Sequence, residues 1–230
     1  MRKINKIGTL DDFKVFAKDK GVSGEQVDKS LASNVFPTII ETRESAQRIL
    51  EINVFSKLIG DRIIFLSGDV DGMSMDTIVA QMLYLDSVEN RDISLYINSG
   101  GGECYSGLEL VSVMDFIKSD VSTTILGLAA SMGAVIASNG AKGKRYALPM
   151  SRFMIHQPIS SMGYTKFTDS KIALQELESV RNDLYEVLAS NSDKTVEEVI
   201  KLCENGDRWM KPQEAMEHHF IDKIIPKRTK

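Results

Sequence analysis

The sequence predicts an α/β fold with a buried, largely parallel sheet. Three observations carry this. From residue 61 onward, short apolar runs alternate with segments of helical periodicity. The runs are rich in isoleucine, leucine and phenylalanine over a few residues each, as buried parallel strands are. With 230 residues the chain can bury a sizeable core as one domain.

The elements follow in order. Leu10, Phe13 and Phe16 recur at helical spacing, and Ser23 with Gln26 fits a capping box ahead of Val27 and Leu31. Asn34 and Pro37 then break the pattern. Residues 1–36 therefore read as an N-terminal extension of two short helices, and 37–230 as the main domain. Strands are expected over 62–67, 93–98, 122–127 and 152–156, with helices over about 75–85, 104–118 and 131–139 between them. A long helix is expected over 168–189, its apolar stripe formed by Leu177, Val180, Leu184 and Val187. Thr195 with Glu198 caps another helix, and Pro212 suits the first position of a last one.

Composition narrows the function. The chain is 43% apolar and 26% charged, ordinary for a globular protein, and its net charge of −4 offers no general attraction to nucleic acid or an anionic membrane. The basic start lacks the apolar stretch of a secretory signal, and the weakly polar run at 127–137 is too short to span a bilayer. Two cysteines, Cys104 and Cys203, suit a reducing compartment, so the cytoplasm is the expected location. Three histidines and two cysteines without close spacing give no expectation of a metal, and no phosphate-loop signature occurs.

Three segments carry chemistry. Leu128-Ala-Ala-Ser-Met-Gly-Ala follows a strand and opens a helix, which holds Ser131 at a sharp turn near the positive end of the helix dipole. Ala129 and Gly133 are small enough to relieve crowding there, although Ala129 departs from the glycine of the hydrolase elbow. An ordinary N-cap serine is the other reading. Met154-Ile-His-Gln-Pro ends a strand at His156, where an imidazole can face a cleft as general base or simply bond its neighbours. Asn98-Ser-Gly-Gly-Gly-Glu offers backbone amides for an oxyanion or a phosphate, or else a flexible loop. Cys104, in the first turn of a helix, reads as a packed small residue with some scope for a lowered thiol pKa. His218 and His219 sit near a helix end and read as structural.

Taken together, the chain resembles the Clp protease proteolytic subunit family. The matching stretches are Tyr96-Ile-Asn-Ser-Gly-Gly-Gly, Gly127-Leu-Ala-Ala-Ser-Met-Gly-Ala, Gly140-Ala-Lys-Gly-Lys-Arg, Ser151-Arg-Phe-Met-Ile-His-Gln-Pro and Gly206-Asp-Arg-Trp-Met. Asp61-Arg-Ile-Ile-Phe-Leu and Ala80-Gln-Met-Leu-Tyr-Leu-Asp look similar too, so the likeness runs from about residue 55 to 225. It implies Ser131 as nucleophile, His156 as general base, Asp207 as the acid that orients it, and the amides of Gly102 and Met132 as oxyanion hole. The resemblance alone picks out Asp207; residue chemistry does not.

It also implies stacked β-β-α units of the Clp/crotonase type with a long handle helix, and two stacked heptameric rings enclosing a chamber. Unfolded protein substrates would be fed in by an AAA+ unfoldase ATPase, with no cofactor in the subunit itself. The segment 1–36 would be either a propeptide or a lasting extension that packs on the core or plugs the axial entrance. Two departures stand out: Gly100 replaces the usual proline, which loosens the oxyanion loop, and Ile159-Ser-Ser-Met-Gly-Tyr replaces a glycine- and glutamine-rich stretch. The competing readings are an acyl-CoA enzyme of the crotonase type and a catalytically silent ring subunit paired with an active paralogue.

Overall fold

A computed structural model describes residues 38–43, 48–161, 163–164 and 166–228. The expected extension, residues 1–36, lies outside the described residues. The chain divides into two compact units, one ending at Lys57 and one beginning at Leu58. The first contains an antiparallel pair, β1 (Thr38–Arg43) and β2 (Arg48–Asn53), in register from Thr38↔Asn53 to Arg43↔Arg48. The sequence reading contains neither strand.

After α1 (Val54–Gly60), the second unit alternates as expected: β3 (Ile63–Val70), α2 (Gly72–Val88), β4 (Ile93–Gly102), α3 (Cys104–Phe116), β5 (Val121–Ala130) and α4 (Met132–Ser138). Then follow β6 (Arg145–Ala147), β7 (Arg152–Ile155), α5 (Phe167–Ser190), α6 (Val196–Cys203), β8 (Arg208–Met210), α7 (Pro212–Glu217) and β9 (Lys223–Ile224). Among the described residues, no helix is long and apolar enough to cross a membrane.

Local chemistry sets the helix ends. Asp71 and Ser74 exchange side-chain and backbone bonds in a capping box that starts α2. Thr195 and Glu198 do the same for α6, and Pro212 opens α7, both as expected. The far end of α2 is closed from outside: the buried Arg62 guanidinium donates to the carbonyls of Leu85, Arg91 and Asp92 at 2.9, 2.7 and 3.0 Å. Leu85 O also accepts the Glu89 N–H at 3.2 Å, whereas Arg91 and Asp92 lie past the helix end, and the one cation serves all three carbonyls.

β3, β4, β5, β6 and β9 line up in that order in a parallel sheet. The division of β5 positions the site. Its first half pairs with β6 at residues 123–125, and its second half pairs with β7 at Leu128↔Arg152, Ala129↔Phe153 and Ala130↔Met154. β8 then adds antiparallel to β7. Burial differs from the expectation of a fully buried sheet. Along β3 and β4 it alternates: Ile64, Leu66, Ile93, Leu95 and Ile97 are in the core, while Phe65 and Tyr96 stack on each other on the half-open face, centroids 5.5 Å apart. Each fully buried aliphatic side chain contributes about 1.5–3 kcal/mol of transfer free energy, so the face carrying these five is the one that organises the scaffold.

Candidate active site

β5 delivers Ser131 and α4 begins one residue later. Ser131 has φ 55° and ψ −125°, a conformation that costs a non-glycine residue about 1–3 kcal/mol. Backbone bonds hold it there. Its N–H donates to Met154 O at 2.9 Å, and its carbonyl accepts from Ala134 at 2.9 Å and Val135 at 3.2 Å. Small neighbours permit the turn: a Cβ on Gly133 would stand only 3.1 Å from Ser99 O. The Ser131 hydroxyl makes no cap bond to α4, which removes the N-cap reading. Instead Oγ lies 2.7 Å from His156 Nε2.

His156 follows directly on β7, so the β5–β7 register that bonds Ser131 to Met154 also brings the imidazole beside the hydroxyl. With Oγ–H donating to Nε2, Nδ1 carries the ring proton and faces Asp207. Asp207 arrives by a different route. Gly206, at φ +99°, turns the chain into β8, and the antiparallel ladder Phe153↔Met210, Met154↔Trp209, Ile155↔Arg208 ends one residue short of His156 and Asp207, which sets the two side by side. Asp207 Oδ1 stands 3.8 Å from His156 Nδ1, beyond hydrogen-bond length, and its side chain is 56% exposed against 14% for His156.

The glycine run is the end of β4, not the flexible loop that was one expectation. Gly101 has φ +92°, and a Cβ on it would lie 2.6 Å from Ala130 O and 2.8 Å from Met132 N. The strand end therefore packs backbone to backbone against the serine turn. A Cβ on Gly102 would lie 2.2 Å from Val70 O. A Cβ on Gly100 would meet nothing within 4 Å, so the space there does not demand a glycine. These groups open on a pocket of about 410 Å³ that includes Gly102, Ser131, Met132, His156 and Asp207, with Val135, Leu184 and Leu188 as apolar wall. Leu184 belonged to the stripe foreseen on the long helix; that its stripe also walls the site was not foreseen.

Cys104 lines the same pocket, but burial pushes its thiol up, against the lowering that a helix start could bring. Cys203 is buried under Tyr185 and pushed up to about 11. His219 pairs with Asp193 at 3.0 Å beside a separate pocket, and burial lowers His218. Among the described residues, no group of three or more histidine, cysteine or acidic side chains could hold a metal ion.

A strained strand-to-helix serine bonded to a strand-end histidine, on an α/β scaffold, defines a hydrolase of the serine class. The comparisons with known proteins then settle which one. The Clp protease family model matches residues 44–228. A Streptococcus sanguinis protein is 46% identical over 193 residues, covering 83% of this chain and 97% of its own length. A Streptococcus thermophilus protein is 45% identical over the same shares, and one from Lactococcus lactis 44% identical over 191 residues, covering 82% of this chain and 94% of its own. All three are named ATP-dependent Clp protease proteolytic subunit. The chain belongs to the Clp protease family, and it is a serine-type peptidase, a hydrolase. Neither the acyl-CoA reading nor the silent-subunit reading is favoured by these matches.

Proposed function

We propose that Ser131, His156 and Asp207 form the catalytic triad of this peptidase, with the amides of Gly102 and Met132 as its oxyanion hole. The 2.7 Å contact between Ser131 Oγ and His156 Nε2, on a turn that carries no cap bond, is the observation that supports this reading. Ser131 Oγ attacks the peptide carbonyl carbon as its proton passes to His156 Nε2. The two amide N–H groups donate to the developing oxyanion. The imidazolium gives its proton to the departing amine, the C–N bond breaks, and an ester to Ser131 remains. Water, losing a proton to His156, cleaves that ester, and the proton returns to Oγ. Asp207 bonds Nδ1–H once the gap closes by about 1 Å, the difference from a charge-assisted bond.

The subunit works inside an ATP-dependent assembly in the cytoplasm, two stacked heptameric rings whose AAA+ unfoldase partner supplies unfolded chains. The missing phosphate-loop signature fits a division of labour in which nucleotide is handled elsewhere. Residues 1–36 are a propeptide that the assembly's own Ser131 removes.

One comparison tests these points together. Purified wild type and Ser131→Ala are assayed on a small fluorogenic peptide without ATP and weighed by native mass spectrometry. Wild type cleaves; the variant loses roughly a million-fold in turnover, as a triad serine does. Comparable rates in the two would sink the assignment. The masses report subunit number and trimming. A mass other than fourteen subunits sinks the double ring, and an untrimmed wild type or an equally trimmed variant sinks self-processing.

A further inference from the structure

Ser99 links the β3 bulge, the glycine strand end and the serine turn. It is 1% exposed. The β3–β4 ladder breaks register between Ser67 and Asp69, and the β4–β5 ladder breaks between Ile97 and Ser99. At the double break, where regular ladder bonds fail, the Ser99 hydroxyl takes over. It donates to Gly68 O at 2.5 Å and accepts the Gly101 N–H at 3.1 Å. Its Oγ, Cβ and carbonyl also bound the space beside Gly133 in the serine turn, 3.1–3.5 Å from where a Cβ would stand. One buried side chain thus ties the β3 bulge to the glycines and packs beneath the elbow.

Glycines need such an anchor. Gly100, Gly101 and Gly102 have no side chains to fix their dihedrals, and Gly101 and Gly102 sit at φ +92° and +153°. Without the Ser99 hydroxyl, the Gly68 carbonyl and the Gly101 amide each lose a partner where Ser99 is buried, and the strand end turns to recover one. Turning it re-aims the next amide, that of Gly102.

We propose that Ser99 is a positioning residue for the oxyanion hole: it touches no substrate and acts by fixing the direction of the Gly102 N–H. This rests on the reading of Ser131 as nucleophile and Gly102 as oxyanion donor. Misplacement near 1 Å costs on the order of 100-fold in rate, and outright loss of one donor 100- to 1,000-fold. Ser99→Ala, which loosens the donor without deleting it, is therefore expected to lower kcat by about 10- to 100-fold, with KM within about two-fold.

The experiment uses the full chain as wild type, Ser99→Ala and Ser99→Thr. It reads kcat per site titrated with a fluorophosphonate, KM, and the inhibition constant of a peptide aldehyde, whose tetrahedral adduct needs the oxyanion donors. Ser99→Ala weakens the aldehyde by the same factor as kcat, and Ser99→Thr, which keeps the hydroxyl, restores both. A merely structural role would reduce the titrated fraction and leave kcat per site and aldehyde affinity unchanged; that result overturns the proposal. Should Ser99→Ala not fold, Ser99→Cys, similar in size with a weaker hydrogen-bonding group, is read by the same criteria. Ser131→Ala is assayed in parallel. If it stays active, the nucleophile assignment fails; if it is dead while Ser99→Ala is fully active, only the Ser99 inference fails.

Discussion

At the scale of single residues, the site depends on a serine held in a conformation serine does not favour and a histidine within bonding reach of it. Both are fixed by backbone bonds between β5 and β7, so neither position depends on the flexibility of a side chain. Asp207 differs: it is mostly exposed and 3.8 Å from the imidazole. A carboxylate that keeps the correct tautomer is worth about 10⁴-fold in turnover where it is buried and bonded. In the open position seen here, Asp207→Asn is expected to lower kcat by about 10²- to 10⁴-fold, well short of the Ser131→Ala loss, with KM little changed. Steady-state kinetics on a short peptide checks this, and a variant within two-fold of wild type would remove Asp207 from the proposed triad.

At the scale of elements, the end of β4 and the start of α4 form a single backbone contact. Gly101 makes it possible, because its positive φ and the missing Cβ let the strand lie on the turn. In Gly101→Ala the new methyl would sit 2.7 Å from Ser131 Cβ and 2.8 Å from Met132 N, so strand and elbow must part. A shift of about 1 Å in either disrupts the reacting geometry, and a loss of at least about 100-fold in kcat/KM is expected. Gly100→Ala, with open space around it, is expected to lose less. Equal losses in the two variants, measured on folded protein by the same assay, would show that the close packing at Gly101 is not what matters.

At the scale of the molecule, the C-terminal segment is tied to the sheet by the β6–β9 pairing and by a part-buried ion pair. Arg145 opens β6 and is 4% exposed; Asp222, just before β9, is 19% exposed. The guanidinium meets Asp222 at 2.6 and 2.9 Å and also donates to the carbonyls of Ser138 and Asn191, joining α4 and the end of α5 to the same point. Burial pushes the Asp222 carboxyl up, but the bonds from Arg145 and the Gly143 amide outweigh it and hold it below the ordinary 3.8. A lowered folded-state pKa means that the stabilisation is complete above the unfolded value and is lost as pH falls through the folded one. Asp222→Asn strands a buried cation and is expected to cost about 3 kcal/mol at pH 7. The gap between variant and wild type narrows below about pH 4 as the native carboxylate protonates. Urea unfolding at pH 7 and pH 3 tests both, and a gap independent of pH would rule out this linkage.

By itself the sequence determined the alternation of strands and helices, the capping of α6 and α7, and the serine at a strand-to-helix boundary. Each rests on residues close in the chain: apolar period, cap chemistry, small residues around a turn. A strand end marked His156 as a candidate base, family likeness alone singled out Asp207, and no local signal could join either to Ser131. Tertiary structure decided the rest. β6, β8 and β9 are two or three residues long, too short for periodicity to mark, and they exist because longer strands offer them an edge. The split of β5 between β6 and β7 brings His156 to Ser131, and the β7–β8 ladder brings Asp207 near His156. Ser99, read in sequence only as part of a glycine-rich motif, became a support because its hydroxyl bonds backbone groups at two register breaks. Pairing register between distant strands follows from which faces of both strands are buried together, and a single strand's pattern does not name its partner.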